Sequence, residues 1–156
     1  MMKPIRFLSV LMIVLVLCCG CQRTVNPEQK GNITLYQMAD DGSKLQSSEY
    51  EIQADQEDNV AVIQELLDCF KKCVTIDNFQ LKEKQLTITF LSSYYNQDKI
   101  DEVLNRAAIV KTLCQLSSVE YVEFYVGDNP LVIDGETVGI MSKLSFLDSV
   151  GGEGYT

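Results

Sequence analysis

Apolar and polar positions alternate along the chain with two periods, and the two periods come in a repeated order. "NITLYQM", Asn32 to Met38, alternates and is rich in strand formers at Ile33, Leu35 and Tyr36. A turn signal follows at Asp41-Gly42, and "SSEYEIQ", Ser47 to Gln53, alternates again through Tyr50 and Ile52. The period then changes. Val60, Ile63, Leu67 and Phe70 fall at helical spacing, with Leu66 and Cys73 filling the stripe. Asp58 or Asn59 can cap this helix, and Lys71-Lys72 suit its C-terminus. The pattern then repeats. Ile76, Phe79 and Leu81 predict one strand; Leu86, Ile88 and Phe90 lie on one face of a second, Gln85 to Leu91. Asp98 can cap a helix reaching about Leu116, with Ile100, Val103, Leu104, Ala107, Val110 and Cys114 as its buried stripe. Val119 to Gly127 closes the pattern as a strand, Asp128-Asn129-Pro130 turns the chain, and Leu131 to Ile133 is expected to pair back.

The order is β-β-α-β-β-α-β-β. Short turns join neighbouring strands, which argues against a purely parallel sheet. The fold class is therefore α+β, with a mixed or antiparallel sheet and two helices on one face. The packed domain is expected over residues 32–140, with an irregular tail over 141–156 whose end, "SVGGEGYT", is expected to be mobile.

The residues before this domain read as an export signal. Lys3 and Arg6 precede Phe7 to Leu17, an apolar run of eleven residues broken only by Ser9. A permanent spanning helix needs about 20 apolar residues, so the run suits a signal peptide over residues 1–20. Cys18, Cys19 and Cys21 follow it. Gly20-Cys21 resembles the end of a bacterial lipoprotein signal, in which a small residue precedes the acylated cysteine. Cys18 stands where that signal usually has leucine, so a cut between Cys18 and Cys19 is an alternative, as is a plain secretory signal. Acylation at Cys21 would supply the two chains that stable anchoring needs. Residues 21–31 are polar, hold Pro27, and read as a tether. Its ten residues after Cys21 reach at most about 35 Å.

Charge narrows the function further. The first 20 residues hold two bases and no acid, so their removal leaves 11 bases against 22 acids, a net charge of −11. Such a domain has no basic patch for nucleic acid and is repelled by an anionic membrane surface and by anionic wall polymers. The chain has no histidine, which removes Ser-His and Cys-His nucleophiles and His-based zinc sites. No serine has lysine three residues on. Asp40, Asp41, Glu49 and Glu51 qualify as glycosidase carboxylates by type alone, and such acids on a strand or turn are more often a solvated face. Cys69, Cys73 and Cys114 admit several roles: small core residues, a disulfide within or between chains, or metal ligands short of the usual four. Tyr94, Tyr95, Tyr121 and Tyr125 are candidates for a partner-facing or sugar-stacking surface, or for an ordinary wet sheet face.

One longer stretch carries a family likeness. "AAIVKTLCQLSSVEYVEFYVGDNPLV" holds Ala108, Ile109, Val110, Thr112 and Leu113, then Val119, Val122, Phe124, Val126 and Gly127. It resembles the GerMN domain of sporulation and spore germination lipoproteins. "ITLYQMADDGSKL" matches the family's opening strand and turn, and "VIQELLDCF" stands in the place of its first helix. The family usually has Gly-Pro after that helix, where this chain has Asp68-Cys69. The likeness spans Ile33 to Val138. It implies a fold similar to ring-building motifs, no catalytic residues, no cofactor, and packing against envelope or sporulation proteins outside the membrane. Assembly of a sporulation or germination complex is the role it suggests; an extracellular ligand-binding lipoprotein, for example for peptidoglycan fragments, is the alternative.

Overall fold

The computed structural model describes residues 31–146. The signal, Cys21 and most of the tether therefore lie outside the described residues, as does the end of the tail.

The chain opens with an antiparallel hairpin of β1 (Asn32–Met38) and β2 (Leu45–Glu51), paired without interruption from Asn32–Glu51 to Met38–Leu45. At the turn, Asp41 accepts hydrogen bonds from the Ser43 N–H and hydroxyl at 3.0 and 2.7 Å, and Gly42 takes the left-handed φ of +68°. Helix α1 (Asn59–Asp68) starts where Asp58 accepts from the Val60 and Ala61 N–H groups, and it buries Val62, Ile63, Leu66 and Leu67.

This helix stops earlier than the periodicity predicts. Phe70 and Val74 are drawn into the core through a turn, with the Val74 N–H on the Phe70 carbonyl at 3.0 Å. Lys71, Lys72 and Cys73 are left exposed on that turn, so Cys73 is a surface thiol and does not extend the apolar stripe. Val60, also expected in the stripe, is exposed at the helix's first turn.

β3 (Ile76–Lys82) and β4 (Gln85–Phe90) form the second hairpin. Its turn residues Glu83 and Lys84 both have positive φ, the backbone that matches the twist of a two-residue hairpin. A 3-10 turn (Ser92–Asn96) leads to α2 (Lys99–Leu113), where Asp98 accepts from the Ile100 N–H at 2.9 Å. β5 (Tyr121–Val126) then returns parallel to β4, because a helix has carried the chain back to the starting end of the sheet.

Three short strands follow. β6 (Asn129–Pro130) pairs with β5, whereas β7 (Val132–Ile133) pairs with β8 (Glu136–Thr137). The pairing expected of Leu131 to Ile133 is thus divided: Leu131 bonds back to the Phe124 carbonyl, and Val132–Ile133 turns away into its own hairpin. Beyond it, Met141 exchanges hydrogen bonds with Val122, and Phe146, in a last 3-10 turn (Lys143–Phe146), is buried.

The result is a mixed α+β domain, with the strands divided among separate sheets. The main sheet runs β3-β4-β5-β6, and β1-β2 forms a hairpin apart. β1 lies against α2, and side chains of and just after that helix complete its edge. Thr112 Oγ1 accepts from the Tyr36 N–H at 3.0 Å, while Gln115, just past the helix, accepts from the Thr34 N–H and donates to the Thr34 carbonyl. The core is one cluster. Leu86, Ile88, Phe90, Val122 and Phe124 from the main sheet pack with Ile63, Leu66, Leu67, Ala108, Ile109 and Leu113 from the helices. Phe90 stacks on Phe124 and, at 4.0 Å, on Tyr94.

Candidate functional site

Alternation within the main sheet decides which side chains remain outside. Because Leu86, Ile88 and Phe90 point to the core, Gln85, Thr87 and Thr89 point away from it. Their parallel partners are Tyr121, Glu123 and Tyr125, and their antiparallel partners are Lys82, Gln80 and Asn78. One face of the sheet is therefore polar throughout, apart from the rings of two tyrosines. Glu123 organises its middle, accepting from Gln85 Nε2 at 3.0 Å and from the Tyr125 hydroxyl at 3.5 Å. Tyr121 is 42% exposed and lines two depressions. One, of about 470 Å³, is walled by Gln80, Lys82, Gln85 and Thr87. The other, of about 340 Å³, is walled by Val119, Lys143 and the 72%-exposed Leu144, among others. A hydrogen bond to Glu120 raises the Tyr121 phenol above its ordinary pKa, so the ring stays neutral at physiological pH.

The four tyrosines proposed from the sequence thus separate. Tyr121 and Tyr125 share the open sheet face. Tyr95 is exposed but lines a different depression, of about 200 Å³, with Lys99, Val132 and Asp134. Tyr94 lines the same depression from below but is not a surface residue. It is buried, stacked on Phe90, and its hydroxyl donates to Glu102 Oε1 at 3.0 Å. Burial and the neighbouring Glu102 carboxylate both push its pKa up.

Glu102 also revises the expected face of α2. Ile100 and Val103 are exposed, whereas Glu102, Asn105 and Thr112 are buried. Arg106 grips Glu102 in a bidentate pair, Nε to Oε1 at 2.8 Å and Nη2 to Oε2 at 3.0 Å, with both side chains largely out of water. Asn105 donates to Gln97 at 2.7 Å. The helix thus points polar but partnered groups inward at its start and, apart from Thr112, apolar ones further along. The sequence signal for this is an acid–base pair four residues apart, Glu102 and Arg106, in a helix whose other charges lie near its ends.

A second carboxylate that the sequence reading passed over ties the first hairpin to α1. Glu65 accepts from the Tyr50 hydroxyl at 2.8 Å and from the Gln53 and Ala54 N–H groups. Burial works against its ionised form, but these donors outweigh burial and hold its pKa below the usual carboxylate range. Asp41 is held low by the Ser43 hydroxyl and N–H in its turn, and none of Asp40, Asp41, Glu49 and Glu51 lines a depression at the tyrosines. Cys69, Cys73 and Cys114 are free thiols; burial raises the pKa of Cys69 and Cys114. Another cleft, of about 440 Å³ between the first hairpin and the helix ends, offers only apolar, amide and hydroxyl side chains, including Ile33, Ile52, Val62 and Gln115. No described helix is long and apolar enough to cross a membrane.

Comparison with known proteins agrees with this architecture. The chain is similar to the first GerMN domain of the sporulation protein GerM from Bacillus subtilis, with a TM-score of 0.54 at 14% identity over 70% of this chain and 94% of that one. At this identity the likeness speaks to the fold. A Clostridium perfringens protein provisionally named a lipoprotein aligns at a TM-score of 0.47 and 15% identity, over 74% of this chain and 89% of that one. No curated protein matches. The pattern of the Germane family, described as sporulation and spore germination, matches residues 34–132, from within β1 to β7 and through both helices, and the chain belongs to that family.

Proposed function

We propose that this chain is a lipid-anchored interaction module of the bacterial envelope, attached through Cys21 to the outer face of the cytoplasmic membrane and acting without catalysis. Its role is to hold envelope or sporulation proteins together during assembly of a sporulation or germination complex. The observation that carries the reading is the main sheet's uncovered face. Among the described residues helices pack on one side of that sheet only, and the other side presents Tyr121 and Tyr125 among Gln, Thr and Asn side chains with Lys82 and Glu123. Tyrosines in such a setting add contact area at low entropic cost, and their hydroxyls tolerate water until a partner arrives. Family membership supports the process, and the export-like N-terminal segment supports the location. The lack of histidine supports a non-catalytic role.

The test is fractionation and cross-linked recovery of the tagged full chain. Wild type should pellet with membranes and recover envelope or sporulation proteins. Cys21→Ala should leave the membrane fraction. Tyr121→Lys with Tyr125→Lys should stay membrane-bound but lose the recovered proteins. Retention of wall fragments with no protein recovered would replace this reading with the ligand-binding one.

A further inference from the structure

Among the described residues, the edges of the three sheets are covered, interrupted or only two residues long, as in β7 and β8, with one exception. β5 is covered by β6 and by Met141. β6, two residues long, contains Pro130. β3 carries a bulge between Ile76 and Asn78 and ends in Lys82. β1 is completed by Thr112 and Gln115. These are the devices by which sheets avoid unwanted pairing. Among the described residues β2 has no cover, and its one such device is the negative charge of Glu49 and Glu51. It runs seven residues in continuous register with no lysine, proline or bulge.

Hydrogen-bond alternation shows which groups that edge offers. The Ile52 N–H bonds to the Gly31 carbonyl and the Ala39 N–H to the Lys44 carbonyl, both in register with the hairpin. Counting in twos between them, Gln46, Ser48 and Tyr50 face β1, and Leu45, Ser47, Glu49 and Glu51 face outward. The same count turns Thr34 and Tyr36 toward α2, where their N–H groups are indeed bonded. Ser47 and Glu49 are exposed.

Charge then selects among possible occupants. From Leu45 to Asp58 there are five acids and no base. The nearby Lys111 sits over the Tyr36 ring, 5.0 Å from its centroid. A second copy would bring the same acidic stretch against itself, on a chain whose net charge is −9 even with its leading bases.

We propose that β2 is a docking edge for an extended, lysine- or arginine-bearing strand of another protein, which pairs with the backbone of Ser47 and Glu49 and sets a cation beside Glu49. Backbone pairing supplies affinity and the alternate side chains supply selectivity. This surface is separate from the tyrosine face and does not depend on it.

The experiment is residue-resolved amide hydrogen exchange on the full chain in detergent micelles, with and without a capped Lys-Val-Lys-Val-Lys peptide, and with a Glu-Val-Glu-Val-Glu peptide as control. The cationic peptide should slow exchange at Ser47 and Glu49 and leave Gln46 and Ser48 unchanged. The acidic peptide should do nothing. Ser47→Pro removes an outward N–H and no hairpin bond, and should weaken binding at least about tenfold. Glu49→Lys, a surface change that leaves the hairpin intact, should weaken it by about fivefold. Tyr121→Lys should leave it unchanged, so failure of the sheet-face reading and failure of this one are separable. No slowing at Ser47 and Glu49, or equal slowing by both peptides, overturns the proposal. Protection of the same amides without peptide that falls on dilution also overturns it, because a second copy then fills the edge.

Discussion

Replacing Arg106 with methionine tests the buried pair most sharply. The Glu102 carboxylate has three donors: Arg106 Nε, Arg106 Nη2 and the Tyr94 hydroxyl. Arg106→Met keeps the aliphatic stem but removes two charge-assisted bonds and, among the described residues, the only countercharge in contact with Glu102. Breaking one partner of a buried pair costs about 3–5 kcal/mol, because the remaining charge stays out of water. The side chains here are only 12% and 5% exposed, so little solvent is at hand to compensate. The lower end, about 3 kcal/mol, is expected because the Tyr94 hydroxyl remains. For a domain of this size that is a fall of roughly 12 °C in Tm. Replacing both partners, Arg106→Met with Glu102→Leu, leaves no orphaned charge and should recover to within about 1.5 kcal/mol of wild type. Urea unfolding followed by far-ultraviolet circular dichroism gives the four corners of the cycle. A loss below about 1 kcal/mol for Arg106→Met, or a double variant as unstable as the single one, would refute the argument that the pair acts as a unit.

Other outcomes follow from the same contacts. Thr112→Val keeps shape but leaves the Tyr36 N–H without its acceptor; the expected cost is about 1–2 kcal/mol, with faster hydrogen exchange at Tyr36 than at its β2-facing neighbours. Glu65→Gln should cost about 1 kcal/mol at pH 7. The Glu65 pKa is lowered on folding, so its ionised form stabilises the fold above the ordinary glutamate value near 4.3, and that contribution is lost as pH falls through the lower folded value. The gap between wild type and Glu65→Gln should accordingly shrink below about pH 4 in an acid-unfolding series. Maleimide labelling read by mass spectrometry should modify Cys73 well before Cys69 and Cys114, whose thiols are partly buried and shifted upward.

Much of this fold is visible along the chain. The change from period two to period 3.6 placed both helices, and Asp58 and Asp98 marked their starts because a carboxylate there meets free N–H groups. What escaped had specific causes. Helix α2 buries Glu102 and Asn105 and exposes Ile100 and Val103, so a search for an apolar stripe selects the wrong face at its start. Tyr94 reads like Tyr95 next to it, and what distinguishes them is the Phe90 ring at the end of β4 and the Glu102 carboxylate in α2, which only the folded turn brings onto one of the two rings. The separation of β1-β2 from the main sheet depends on Thr112 and Gln115 bonding to a strand some eighty residues earlier, which no local pattern encodes. Of the candidate site, Tyr121 and Tyr125 were legible because residues alternate on a strand with Val122, Phe124 and Val126 opposite. The β2 edge was not, since its significance rests on how the other edges are covered.

The most direct test of the interaction-module reading is photo-cross-linking in the native membrane. A benzophenone amino acid is placed at Tyr121 or Tyr125, and at Lys72 on the turn after α1 as the control. The account predicts discrete adducts with envelope or sporulation proteins from positions 121 and 125, none from position 72, and loss of the adducts when Cys21→Ala releases the chain from the membrane. Equal labelling from all three positions, or none from 121 and 125 while the chain remains anchored and folded, would contradict it.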